Sequence, residues 1–166
     1  MVLKLKIVTG TYTDAQLHAL RVLNNLVADA IDRNMQNASS IETFLNSGLA
    51  QYGLVTTIFT IPKIAKYGTL YGLAVAIATE IVNMHNTLKQ DTINGLRGGY
   101  YVIDRIRSNI QRRGLYAIKV KYTTLSFHGT DYFNGNYFDD IDRNEPRVDY
   151  LLIAGQFPNG QWEYYD

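Results

Sequence analysis

Hydrophobic and polar positions follow one rhythm through two thirds of the chain and another at the two ends. Leu3, Leu5 and Ile7 alternate with Lys4 and Lys6, which predicts a short strand or an extended arm. Thr13 and Gln16 then stand at capping-box spacing, so a helix is expected from Asp14 to about Met35. Leu17, Leu20, Leu23, Val27, Ile31 and Met35 form its apolar stripe, with Asn24 and Asn25 largely off it. Asn37 to Ser40 breaks the pattern, and Ser39 or Ser40 is the expected cap of the next helix. Helical spacing continues from Ile41 to about Lys89, interrupted near Gly48 to Gly53 and at Pro62. A further helix is expected to open at Asp91 or Thr92, to be loosened by Gly95, Gly98 and Gly99, and to end at Gly114 as a C-terminal cap. Beyond Gly114 the period becomes two. A strand is expected over Leu115 to Phe127, a turn at Phe133 to Asn136, and a hairpin from Asp149 to Tyr165 around the turn Pro158 to Gln161.

The fold class implied is mainly α, a helical bundle with a C-terminal antiparallel β-rich extension. Three regions are expected: an N-terminal arm and helix over 1–38, a helical core over 39–114, and an acidic β-rich region over 115–166. The 166 residues suit one domain, and 46% hydrophobic with 19% charged residues lies in the ordinary globular range. The absence of cysteine excludes disulfides and thiolate chemistry. Thr43 to Pro62 holds 20 residues without a charge. Its asparagines, glutamine and threonines make it a poor membrane span, and no secretory leader is read at the N-terminus.

Charge sharpens the division. From Met1 to Lys121 there are 14 Lys plus Arg against 7 Asp plus Glu, a balance of +7. From Tyr122 onward, 2 Arg face 8 acids, a balance of −6. The body is basic and helical, and the tail is acidic and rich in tyrosine, a pattern that hints at nucleic-acid contact. On the last helix Arg97, Arg105 and Arg112 fall to one side, opposite Ile103, Ile106 and Ile110. Such a row can bind phosphates while its other face packs. The plainer reading is a solvated helix face whose terminal cations, Arg112 and Arg113, offset the helix dipole. Lys63 and Lys66 after Pro62 are a weaker signal of the same kind.

No enzyme is read here. His128 near Asp131 has no nucleophile at a recognisable spacing, and His18 and His85 sit on predicted helices with no ligand partner at i+4. Asp131, Asp139, Asp140, Asp142 and Glu145 have oxygen ligands suited to Ca²⁺ or Mg²⁺, but their spacing lacks the glycine and bidentate Glu of an EF-hand loop. No catalytic residue, cofactor or metal is expected.

Gln51-Tyr52-Gly53, Tyr71-Gly72-Leu73 running into Ala74, Ala76 and Ala78, and Ile93-Asn94-Gly95-Leu96-Arg97 with Tyr100-Tyr101 occur in that order. In this order and spacing the segment from Ser39 to about Ile106 resembles the coat proteins of filamentous viruses of hyperthermophilic archaea, the rudivirus and lipothrixvirus type. The likeness covers less than half of the chain. It implies a helical-bundle coat subunit of a virion that wraps double-stranded DNA in A-form and stacks as homo- or heterodimers along a filament, with an envelope membrane as a further potential partner. By that likeness Arg21 and Arg33 of the first helix, Lys63 and Lys66, and Arg97, Arg105, Arg112 and Arg113 are the DNA-contact candidates. The arm is less basic than the rudivirus arm, and the acidic region after Gly114 has no counterpart and is expected to face away from DNA. The alternative reading is a membrane-active toxin or effector that inserts the Gly/Ala-rich helical hairpin either side of Pro62.

Overall fold

A computed structural model describes residues 4–127, 130–133 and 150–165. The order is β1 (Lys4–Thr13), α1 (Asp14–Asp32), α2 (Ala38–Ala50), a 3-10 turn at Thr57–Thr60, α3 (Pro62–Ala65), α4 (Leu70–Asn83), α5 (Asn86–Arg113), β2 (Ala117–Phe127), β3 (Thr130–Phe133), β4 (Tyr150–Gln156) and β5 (Trp162–Tyr164). The molecule is mainly α with an antiparallel β part, as the periodicity implies.

The local signals explain where most helices begin. At α1 the Thr13 hydroxyl accepts from Gln16 N at 3.2 Å, and Thr13 N donates to the Gln16 side chain at 3.0 Å, closing the expected box. The helix stops at Asp32, short of Met35, because Asn34 turns into the left-handed region at φ 52°. Its apolar stripe is buried from Leu17 to Ile31, and Asn24 is buried with it, donating to the Leu96 carbonyl oxygen at 3.4 Å.

Two starts differ from expectation. Asn37, rather than Ser39 or Ser40, caps α2 by accepting from Ser40 N at 3.0 Å. An Asn at the cap reaches the third helical N–H, which leaves both serines inside the first turn. The last helix opens at Asn86, not at Asp91 or Thr92, with His85 Nδ1 accepting from Leu88 N at 3.3 Å. It then runs unbroken through Gly95, Gly98 and Gly99 to Gly114, whose φ of 64° forms the predicted left-handed cap. The glycines do not loosen it because Gly95 and Gly99 lie in the buried row with Thr92, Leu96, Val102 and Ile106, where packing outweighs intrinsic propensity.

α1 and α5 pack side by side, and α2 packs on α4. Among the described residues no helix is long and apolar enough to cross a membrane. In the five-stranded antiparallel sheet, β2 is central. β1 flanks it from Lys4↔Ser126 to Thr13↔Ala117, while β4 and β3 share its other side and β5 borders β4. The N-terminal segment is therefore a strand of the C-terminal sheet, and one apolar cluster runs from Tyr12 through the helices to Val120 and Tyr122. The regions 1–38, 39–114 and 115–166 thus share a core. The expected turn at Phe133 to Asn136 runs past the end of β3, and its remaining residues, with His128, Asp139, Asp140, Asp142 and Glu145, lie outside the described residues.

Candidate nucleic-acid interface

Acid–base pairs stitch the α1–α5 seam. Arg21 meets Asp104 at 3.2 Å, donates to the Tyr100 hydroxyl at 2.7 Å and lies over that ring. Arg97 reaches Asp29 at 3.0 Å and Asp32 at 3.5 Å. Arg107, only 16% exposed, grips both carboxylate oxygens of Asp14 at 2.9 and 3.3 Å. Arg21 and Arg97, both DNA-contact candidates, therefore have their charge offset by carboxylates within the molecule. Arg97 is also drawn away from the row it was expected to share with Arg105 and Arg112.

His18 sits in the same seam, edge-on to Tyr52 with ring centroids 5.6 Å apart. Burial lowers its pKa, and the cations Arg107 and Arg21 lower it further against the opposing pull of Asp14 and Asp104. The fold thus favours the neutral imidazole. Between the lowered folded pKa and the ordinary value near 6.5, the unfolded chain binds the extra proton, so stability falls as pH drops through that window. Urea melts at pH 7.5 and 5.5 should show this loss in the parent and a smaller one in His18→Gln. Equal losses in both proteins would refute the assignment.

The remaining candidates are exposed or half-buried and sit against rings or amides. Arg33 lies over Phe44 at 5.0 Å, Arg113 over Tyr165 at 4.7 Å, and Arg112 donates to the Asn109 side-chain oxygen at 2.9 Å. These three have no acidic partner among the described residues. Arg105 lies 5.9 Å from the Tyr150 ring and Lys66 5.4 Å from the Tyr67 ring. Lys63 donates to the Tyr122 hydroxyl at 2.7 Å, and that hydroxyl shares a hydrogen bond with Tyr12. The trio borders a cleft of about 260 Å³ between Val8–Tyr12 and Ile61–Lys63.

Topology gathers most of these cations at one end. Arg107 and Gln111 on Asp14 fix the C-terminal end of α5 to the start of α1. Gln16 on Thr60 holds the α3 turn nearby. Arg105, Arg112, Arg113, Lys63 and Lys66 therefore share one end of the helical pair. Along the exposed ridge of α5, Tyr101, Arg105, Ser108 and Arg112 follow each other without an acid. Arg33 stands at the opposite end of α1, about 28 Å away at 1.5 Å per residue.

Sequence reasoning missed a second surface. Val8, Val120, Tyr122 and Leu152 pack inward from the sheet, so the alternate positions form its outer face. These include Ile7, Thr9 and Thr11 of β1, Lys119 and Lys121 of β2, Leu151 of β4, and Trp162 and Tyr164 of β5, while Ala154 in the same register is fully buried. Strict alternation in Lys119-Val120-Lys121 and Trp162-Glu163-Tyr164 carried the signal. No group of three His, Cys, Asp or Glu among the described residues could hold a metal ion. No family model, curated protein or solved structure matches the chain.

Proposed function

We propose that this chain is a structural nucleoprotein, a coat subunit of a filamentous virion that packages double-stranded DNA without reading its sequence. The observation that carries the proposal is the basic end of the helical pair, where Arg112 and Arg113 meet no described carboxylate and share that end with Arg105, Lys63 and Lys66. Cations on rigid helices suit contact with the phosphate backbone, and A-form duplex offers proteins shape and backbone rather than readable major-groove edges. The ion-paired seam supports the same reading by holding α1 and α5 in register, so that the basic end is a fixed surface. The residues behind the family resemblance hold structural positions. Gly53 makes a left-handed turn after α2, Tyr71-Gly72-Leu73 lies in the first turn of α4, and Leu96 accepts from Asn24. The subunit would stack with itself or with a second coat protein along the duplex, where a modest charge per copy sums to a strong field. The membrane-active reading gains no support, since α4 spans about 21 Å against a hydrocarbon core of about 30 Å.

Duplexes of different sequence should bind with the same affinity, and the affinity should fall steeply with salt. Arg112→Gln/Arg113→Gln should lower the slope of log K against log salt by about 1.8, two phosphate contacts' worth. Mixing the protein with linear DNA should yield regular filaments by negative-stain microscopy. Salt-independent binding, or none at high micromolar protein, would remove the proposal.

A further inference from the structure

Duplex packaging by the basic end leaves the outer face of the sheet unused. Its described side chains include no acid. Trp162 and Tyr164 lie two residues apart on the border strand, 38% and 71% exposed, with ring centroids 6.5 Å apart and planes tilted by 31°. Lys119 and Lys121 stand on β2 in the same orientation, with Lys119 opposite Ala154 and Ala154 opposite Tyr164. The lysine row and the aromatic row are therefore two strands apart, about 10 Å at ordinary strand spacing. The exposed hydroxyl residues Thr11 and Thr9 continue the two lysine positions onto β1.

We infer that this outer sheet face is a second, separate binding surface, and that its partner is single-stranded nucleic acid. The chemistry selects that partner in three steps. Paired lysines with no acid among the described outward-facing residues call for a polyanion. Two neighbouring exposed rings beside them, tilted by 31° to each other, call for flat apolar groups to stack on, which the splayed bases of a single strand supply and a duplex keeps inside. The threonines and Gln156 make much of the plane polar, with Leu151 at 51% and Ile7 at 37% its exposed aliphatic chains, which suits a hydrated strand better than a lipid surface. Bases then lie on Trp162 and Tyr164 while the phosphates run over Lys119 and Lys121.

Trp162 is the single tryptophan of the chain, so its emission reports on this face alone. Oligomers of deoxythymidine or uridine of about 12 nucleotides should quench it with a salt-dependent affinity. A duplex of equal length should leave it unquenched at concentrations where anisotropy shows binding. Quenching by both oligomers assigns a sugar-tolerant face, and quenching by one assigns DNA or RNA; either supports the inference. Tyr164→Ala should weaken the single-strand response about 5-fold or more, the loss expected for one base stack. Lys119→Gln/Lys121→Gln should lower its salt slope by about 1.4. Arg112→Gln/Arg113→Gln should weaken duplex binding and leave the Trp162 response in place, which separates this surface from the basic end. An emission unmoved by either oligomer at high micromolar concentration overturns the inference. So does quenching by anionic phosphatidylglycerol vesicles but not by oligomers, or loss of the single-strand response in the Arg112/Arg113 variant.

Discussion

Tyr122→Ala should lower stability by about 3–5 kcal/mol, the range for truncating a buried aromatic residue, and depress the melting temperature by about 10–15 °C for a domain of this size. Tyr122 is 1% exposed and joins three elements at once. Its ring lies 6.0 Å from that of Tyr12 on β1, its hydroxyl bonds to the Tyr12 hydroxyl, and Lys63 from α3 donates to it. Removing the side chain opens a cavity and strips a partner from two polar groups in one step. Tyr122→Phe keeps the ring and should cost about 1–2 kcal/mol, the penalty for polar partners deprived of a hydrogen bond. Thermal melts of both variants check this ordering. Equal losses in the two would mean that the hydroxyl network, and not the ring, carries the effect.

Gly72→Ala should be destabilising by about 1–3 kcal/mol, against the gain of about 0.5–1 kcal/mol that alanine ordinarily brings to a helix interior. A Cβ at this position would run into the carbonyl oxygen of Tyr67. That carbonyl is backbone and is itself fixed, because it accepts from Thr69 N at 2.9 Å within the turn where Gly68 adopts φ 76°. Thr69 in turn accepts from Gly72 N at 3.0 Å as the cap of α4. Moving any part of this loop breaks another, so close approach decides the sign over propensity. Denaturant midpoints for the parent and Gly72→Ala test it, and a variant more stable than the parent would show that the turn yields freely.

Local chemistry was legible in the sequence, and long-range partnership was not. Thr13 with Gln16, and Gly114 after a run ending in Arg113, signal helix ends because both devices close within a few residues. The caps Asn37 and His85 were harder to see, since Ser39, Ser40 and Asp91 stood nearby as equally good local alternatives. Helical angles place Arg97 on the side of Arg105 and Arg112, but nothing in that helix shows that Asp29 and Asp32 of α1 will meet it. The same limit applies to charge along the chain. Counting assigns Lys119 and Lys121 to the basic body, whereas the pleat sets them on one plane with Trp162 and Tyr164 from the acidic tail. The division is real in sequence, but on the surface it is redrawn strand by strand. The described strands of the acidic tail bring Trp162 and Tyr164 onto the sheet face that carries Lys119 and Lys121.

Pairing of β1 with β2 also has a consequence for how the chain is made. Each residue of β1 waits for a partner 104 to 122 positions later, so during synthesis this strand emerges long before it has a neighbour. Contacts this distant are slow to form, whereas α1 can grow from its own cap at once. The helices should therefore assemble first and the sheet should close last. In the interval Leu5 and Ile7 are an open edge, and Lys4 and Lys6, which alternate with them, are the charges that keep such an edge from pairing with another nascent chain.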